Sequence, residues 1–251
     1  MLSDRKPPPV QMKQPKESPN LDGSGAMFDA IAERYDIVNR LISFGRDRVW
    51  RRHTAIKLDR PRRILDLATG TGDLAIELAC RYREASVVGL DPSARMLEIA
   101  RKKTRVLGLD QRVSYVQGDA QRLPFGDGEF DAVSMAFGIR NVPDRAAALR
   151  EIVRVTTSDA RVAILELTEP RDRGVSLLAR FHVHCVVPVI GALVSGPGQY
   201  AYLSRSIAEF PAPEVFVEWA ADCGLHLVEM KSFSFGACHL FVLSQSAAGS
   251  A

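Results

Sequence analysis

Four cysteines are all that 251 residues contain, and Cys80, Cys185, Cys223 and Cys238 share no C-x-x-C spacing. That scarcity excludes a zinc ribbon and a disulfide framework and fits a reducing, cytoplasmic compartment. Charge of one sign is lacking too. The 33 Lys and Arg against 30 Asp and Glu leave a net charge of +3, too little to announce nucleic acid, and no such partner is expected. No long hydrophobic run occurs either: the most apolar stretch, 177–194, is interrupted by Arg180, His182, His184, Pro188 and Gly191. Its unbroken part is too short for a bilayer core of about 30 Å, although it could lie on a membrane surface or line a lipid-like pocket. Residues 1–25 are polar, with prolines at 7, 8, 9, 15 and 19, so no secretory signal is read there and a disordered leader is expected. Residues 245–251 are expected to form a disordered tail.

What is present is a chain with 46% hydrophobic residues, enough for one α/β domain over 26–244 with a substantial core. Residues 27–57 carry a helical pattern, with Met27, Phe28, Ile31, Tyr35 and Val38 on one stripe and a break at Ser43-Phe44-Gly45. The pattern then alternates. Strands are predicted at 62–67, 86–91, 112–117, 130–136 and 160–167, with helices at 73–83, 93–107 and 144–156 between them. Such alternation implies a parallel sheet covered on both faces. An apolar, Gly- and Pro-rich insert at 173–209 interrupts it. Pro213 to Cys223 then predicts a helix ended by Gly224, and two β-like runs around Ser234-Phe235-Gly236 predict a closing hairpin.

The strand Ile64-Leu65-Asp66-Leu67 runs into Gly70-Thr71-Gly72-Asp73, and a second acidic strand end, Asp91, follows nineteen residues after Gly72. Glycines at the strand-to-helix turn, Gly70 and Gly72, let backbone N–H groups approach a ligand, and a carboxylate closing the next strand can take a ribose diol. Two cofactors fit. Gly70 to Ala75 satisfies the dinucleotide pattern G-x-G-x-x-G/A, yet Asp66 and Asp73 would meet a pyrophosphate with like charge and a sulfonium bearing an α-amino group with opposite charge. Both aspartates are also good helix caps. A third carboxylate, Asp119 after the strand Val113–Val116, should reach the same crevice. There it would accept from an adenine amino group while Ala120 leaves room for the ring, an arrangement that suits S-adenosylmethionine; Gly118-Asp119 is also simply a turn.

The chain resembles the ubiquinone/menaquinone biosynthesis C-methyltransferases over 27–243. The match runs through Phe28-Asp29, Tyr35-Asp36-Ile37-Val38-Asn39, Ser43-Phe44-Gly45, Trp50, Leu65-Asp66-Leu67-Ala68 and Gly70-Thr71-Gly72-Asp73-Leu74. It continues at Leu123-Pro124-Phe125, Phe130-Asp131, Phe137-Gly138-Ile139-Arg140-Asn141-Val142 and the region of Tyr200, Tyr202, Leu203, Ser206 and Ile207. The resemblance implies a class I methyltransferase fold, a Rossmann-like seven-stranded sheet with the last strand antiparallel. It also implies S-adenosylmethionine as donor and a polyprenyl quinol as acceptor. By position its donor contacts fall on Thr71, Asp91, Asp119 and Ala120, with Ala136 where the family commonly has Ser. Tyr35 and Asn39 in the N-terminal lid, and Tyr200 and Tyr202 in the insert, are the expected acceptor contacts. Peripheral membrane association on the cytoplasmic face goes with such an acceptor; oligomeric state is left open, and no metal site is expected.

Departures from the family are Val38 for Met, Asp47 for His, and Thr156 to Ala160 where an Arg-Val-Leu-Lys-Pro-Gly-Gly turn is usual. Methylating a quinol carbon requires phenol ionisation, and lowering a pKa of about 10 to neutrality takes roughly 4 kcal/mol. Arg140 is expected to supply a fixed cation beside the phenolate and Asn141 to orient the ring oxygen. Against this, Asn141 and Asp144 could merely start the next helix while Arg140 makes a surface ion pair. The basic cluster Arg46 to His53 reads as a solvated helix face or a phosphate contact. Base N-methylation of RNA is disfavoured because the fourth strand ends Ser134-Met135-Ala136-Phe137 rather than in an Asp/Asn-Pro-Pro-aromatic turn.

Overall fold

The computed structural model describes residues 25–170 and 204–245. The expected leader, tail and most of the insert, including Tyr200, Tyr202, His182 and His184, lie outside the described residues.

The helical N-terminus divides where the sequence breaks. Helix α1 (Gly25–Ser43) stops as Phe44 and Gly45 turn left-handed, at φ 51° and 73°, and the Gly45 N–H reaches back to the Arg40 carbonyl at 2.8 Å. A glycine after the last turn meets no Cβ penalty in that conformation. Helix α2 (Arg46–Ile56) follows at once. The alternating part comprises β1 (Arg63–Leu67), α3 (Asp73–Arg81), β2 (Ser86–Asp91), α4 (Ala94–Val106), β3 (Val113–Gln117), β4 (Phe130–Ala136), α5 (Arg145–Val155) and β5 (Thr156–Leu167). After a short helical stretch at 204–209 come α6 (Pro213–Asp222), β6 (His226–Phe233) and β7 (Cys238–Ser244).

The seven strands lie in the order β3-β2-β1-β4-β5-β7-β6. The first five are mutually parallel, and β7 inserts antiparallel between β5 and β6, so the closing hairpin supplies the reversed strand that the resemblance implied. Period-two alternation divides the core between the two faces. Leu65, Leu67, Val133, Met135, Val162 and Ile164 pack under α5 and α6, whereas Ile64, Val87, Ala132, Ala163 and Leu165 pack under α2 and α3. Asp66 points to the second face, toward the N-terminal helices.

One boundary departs clearly from the sequence prediction. The fifth strand begins at Thr156 rather than 160, because α5 enters it without a loop. Thr156 pairs with Phe130, and the register slips before Arg161 pairs with Ala132. The residues replacing the family's Pro-Gly-Gly turn are thus taken into the strand. The Thr156 hydroxyl closes the helix end by donating to the Ile152 carbonyl at 2.7 Å.

Candidate active site

The carboxyl ends of β1, β2 and β4 open into a cleft of about 290 Å³, its mouth included, lined by Tyr35, Arg51, Asp66, Gly70, Thr71 and Ala136 among others. Parallel strands converge there because the chain order reverses between β1 and β4, which leaves a crevice between the connections that leave in opposite directions. The turn after β1 is built from left-handed residues: Ala68 (φ 49°), Gly70 (57°) and Gly72 (82°). At Gly72 a Cβ would lie 2.6 Å from the Tyr115 hydroxyl and 3.0 Å from the Ala100 methyl, so glycine is required there by space as well as by conformation.

Asp66 is 1% exposed. Its carboxylate accepts from the Thr69 hydroxyl at 2.6 Å and from the Ser134 hydroxyl at 2.6 Å, Ser134 being its register partner on β4. Burial pushes its pKa up to about 6, against those hydrogen bonds and the nearby charge of Arg51. Asp91 is likewise raised to about 6 by burial, although the Ser93 and Gly70 amides donate to it at 2.9 and 2.8 Å. Both groups therefore carry negative charge at neutral pH at a cost, and a cation or hydroxyl donor entering the cleft would reduce it.

Asp73 sits in a different balance. Burial alone would raise its pKa, but Lys103, helped by Arg51 and Arg40, holds it below the ordinary value. Lys103 also reaches Asp36 of α1 at 3.0 Å and the Thr71 hydroxyl at 3.2 Å. The lid is latched elsewhere too: Asp29 takes the Ser93 hydroxyl and the Arg95 amide at the start of α4, and Glu33 pairs with Arg95 at 2.6 Å.

Of the sequence-predicted residues, Asp66, Gly70, Thr71, Ala136 and Tyr35 meet in the cleft, and Asp91 joins them through the Gly70 amide. Gly72 shapes the turn from behind. Asp119 lies on the same edge of the sheet but is exposed, its carboxylate held by the Gln121 amide and side chain; Ala120 is buried behind it. Asn39 is half-buried on α1.

Arg140 is 9% exposed and pairs with the fully buried Glu166 at 2.7 Å, so the surface ion pair weighed from sequence is in fact an interior one. Its guanidinium and the Asn141 carboxamide both donate to the Phe137 carbonyl, at 2.7 and 3.3 Å, bracing a turn in which Phe137 itself is left-handed at φ 61°. Asp144 does start α5, accepting from the Ala147 amide at 2.9 Å.

Several site residues escaped sequence reading. Thr69, Ser134 and Lys103 carry no motif of their own, and nothing local in the matched run Tyr35 to Asn39 marks Asp36 for its role. Arg51 belongs to the basic cluster read as a solvated face, yet it is only 8% exposed and lies 5.0 Å from the centre of the Phe137 ring. The signal was present: Asp47, Trp50, Arg51, Thr54 and Ala55, the buried stripe of α2, follow i, i+3, i+4 spacing.

The fold is that of the class I S-adenosylmethionine-dependent methyltransferases. A SAM-dependent methyltransferase from Aquifex aeolicus superposes with a TM-score of 0.61 at 18% identity, covering 84% of this chain and 98% of that one. The buried carboxylates, the glycine turn and the open cleft fit that donor, and the protein is an S-adenosylmethionine-dependent methyltransferase. The model of the ubiE/COQ5 methyltransferase family matches residues 16–243, and the chain belongs to that family. A demethylmenaquinone methyltransferase from Thermus thermophilus is 45% identical over 218 residues, 85% of this chain and 98% of its own. A ubiquinone/menaquinone biosynthesis C-methyltransferase from Geotalea uraniireducens is 42% identical over 219 residues, 86% of this chain and 93% of its own.

Proposed function

We propose that the protein methylates a ring carbon of a polyprenylated quinol, of the demethylmenaquinol or polyprenyl-benzoquinol type, in respiratory quinone biosynthesis. The observation that carries this reading is the 45% identity with a demethylmenaquinone methyltransferase along nearly all of that relative's length. S-adenosylmethionine, when bound, supplies a methyl group on a sulfonium. Asp66 faces the cationic part of the donor, the Gly70-Thr71-Gly72 turn lies against its backbone, Asp91 takes the ribose hydroxyls, and Asp119 and Ala120 receive the adenine. Ala136 ends β4 beside the reacting centre, and Tyr35 and Asn39 line the acceptor side of the lid.

On the acceptor side, Arg140 and Asn141 act from the Phe137 turn. The Glu166 carboxylate already neutralises the Arg140 charge, so the pair presents an oriented dipole to a forming phenolate rather than a bare cation. Roughly 4 kcal/mol of differential stabilisation is needed to ionise a phenol of pKa about 10 at neutrality, and the proton passes to water or a nearby His or Tyr, since an arginine of pKa above about 12 is no base. A preorganised dipole in a water-poor site contributes to that stabilisation without reorganising during the reaction.

Because the acceptor carries a polyprenyl tail, the enzyme works at the cytoplasmic face of the membrane that holds it. Among the described residues no helix is long and apolar enough to cross a membrane. The test is to incubate the protein with isotopically labelled S-adenosylmethionine and a short-tailed demethylmenaquinol in vesicles, then to analyse the extracted quinone by mass spectrometry. Label on the ring carbon is expected. Donor binding without label transfer to any quinol would overturn the acceptor assignment, and recovery of all protein free of quinol-loaded vesicles would overturn the membrane assignment.

A further inference from the structure

Arg51 is more than nine-tenths buried, yet among the described residues its guanidinium makes no ion pair and no hydrogen bond. Its Nε atom is sealed from solvent with no acceptor among the described residues, and the guanidinium stands over the face of Phe137. A buried cation in that condition is costly, because desolvation is not repaid by a counter-ion. Two carboxylates in the same cleft are near enough to feel its charge, but both are committed: Asp66 to Thr69 and Ser134, Asp73 to Lys103. Among the described residues of the cleft no carboxylate is left to pair with it.

The cleft also holds, in Asp66, a buried carboxylate to which no cation among the described residues donates a hydrogen bond, Arg51 acting on it only at a distance. A ligand that offers a cation to one wall and an anion to the other is a zwitterion, and an α-amino acid is the commonest such group. The donor ends in one. Resting on the reading of this cleft as the donor site, we propose that Arg51 binds the α-carboxylate of S-adenosylmethionine while Asp66 faces its α-ammonium group. Helix α2 would then be part of the donor site rather than only part of the lid. The planar guanidinium suits a carboxylate, whose two oxygens it can meet with two parallel N–H donors.

The test compares the binding of S-adenosylmethionine and its decarboxylated analogue, by calorimetry and without acceptor, to the wild type, Arg51→Met and Arg51→Lys. The wild type should prefer the carboxylated ligand by about 10- to 100-fold, the worth of a charge-assisted hydrogen-bonded pair. Arg51→Met should bind both ligands about equally, with the analogue bound as well as by the wild type, and Arg51→Lys should keep part of the preference. Because Arg51→Met removes an unpaired buried charge, ligand-free Arg51→Met should melt no lower than the wild type. Equal weakening of both ligands with a lowered melting temperature would reduce Arg51 to a packing role and overturn the proposal. An unchanged preference in Arg51→Met, with only methyl transfer lost, would overturn it in favour of an acceptor oxyanion. A wild type that binds the donor without discriminating against the analogue overturns this inference alone, whereas a wild type that binds neither ligand overturns the donor-site reading beneath it.

Discussion

The hydroxyl of Thr71, in the glycine turn, donates a hydrogen bond of 2.6 Å to the carboxylate of Asp36 on helix α1, thirty-five residues earlier. Lys103 bridges the same two groups from α4. The lid is thereby tied to the loop that faces the donor. Asp36→Ala removes both links and leaves α1 held by Asp29 and Glu33 at its other end. Hydrogen bonds to charged groups are worth about 1.5–3 kcal/mol, less at a half-exposed site. We expect donor affinity to fall about 5- to 10-fold, together with faster amide exchange over 25–43. Unchanged exchange in that segment would show that the link does not hold the lid.

Asp66 and Asp91 both titrate near 6 in the folded protein, above the 3.8 of an ordinary aspartate. A raised carboxyl pKa means that the native state binds protons more tightly than the unfolded chain between about pH 4 and pH 6. Stability without donor should therefore decline as pH rises through that window, by up to about 3 kcal/mol for each group. Donor binding has the opposite trend. It favours both carboxylates, so affinity should drop by up to about 10-fold per pH unit per group below pH 6, with proton release visible at pH 5.5 in buffers of different ionisation enthalpy. Asp66→Asn should remove its share of that release. A donor affinity flat from pH 7 to 5 would contradict the assignment of both carboxylates to the donor.

Gly72→Ala meets two obstacles at once: a φ of 82° and a methyl 2.6 Å from the Tyr115 hydroxyl. Left-handed strain and overpacking each cost about 1–3 kcal/mol. Urea denaturation should show a loss of that combined order. The double variant with Tyr115→Ala, which clears the space but not the backbone strain, should lose less than the sum of the two single changes. Strict additivity would remove the steric part of this account.

Glu166→Gln leaves the buried Arg140 guanidinium without its counter-ion, and breaking such a pair costs about 3–5 kcal/mol. The pair braces the Phe137 turn, so the variant should lose stability and methyl transfer together. Arg140→Met combined with Glu166→Met should recover much of the stability. If the dipole also serves the phenolate, the stable double variant will still transfer methyl groups slowly, with the rising limb of its pH–rate profile moved up toward the pKa of the free phenol. Full activity in the double variant would confine the pair to an architectural role.

Where information is local, the sequence was legible. The glycine turn, the acidic ends of β1 and β2 and the break at Phe44-Gly45 were each readable within about ten residues, because a left-handed turn or a strand end depends on its immediate neighbours. The alternation of strands with helices implied the two-faced sheet for the same reason. Asp119 was less legible: its place on the sheet edge followed from β3, but its hydrogen bonds to Gln121 did not.

The sequence by itself determined the succession of strands and helices, the glycine turn with its carboxylates and the closing hairpin, consequences of periodicity and turn chemistry, while the reversed final strand followed from the family resemblance. Only the tertiary structure decided which charges meet. Arg140 goes inward to Glu166, Lys103 joins Asp36, Thr71 and Asp73, and Arg51 turns from a basic surface cluster into the cleft with no counter-ion hydrogen-bonded to it among the described residues. Burial and pairing are long-range properties: the same arginine is inert on a solvated face and a demanding group once α2 packs against the sheet, because the lost hydration must be replaced by something the fold, or a ligand, brings to it.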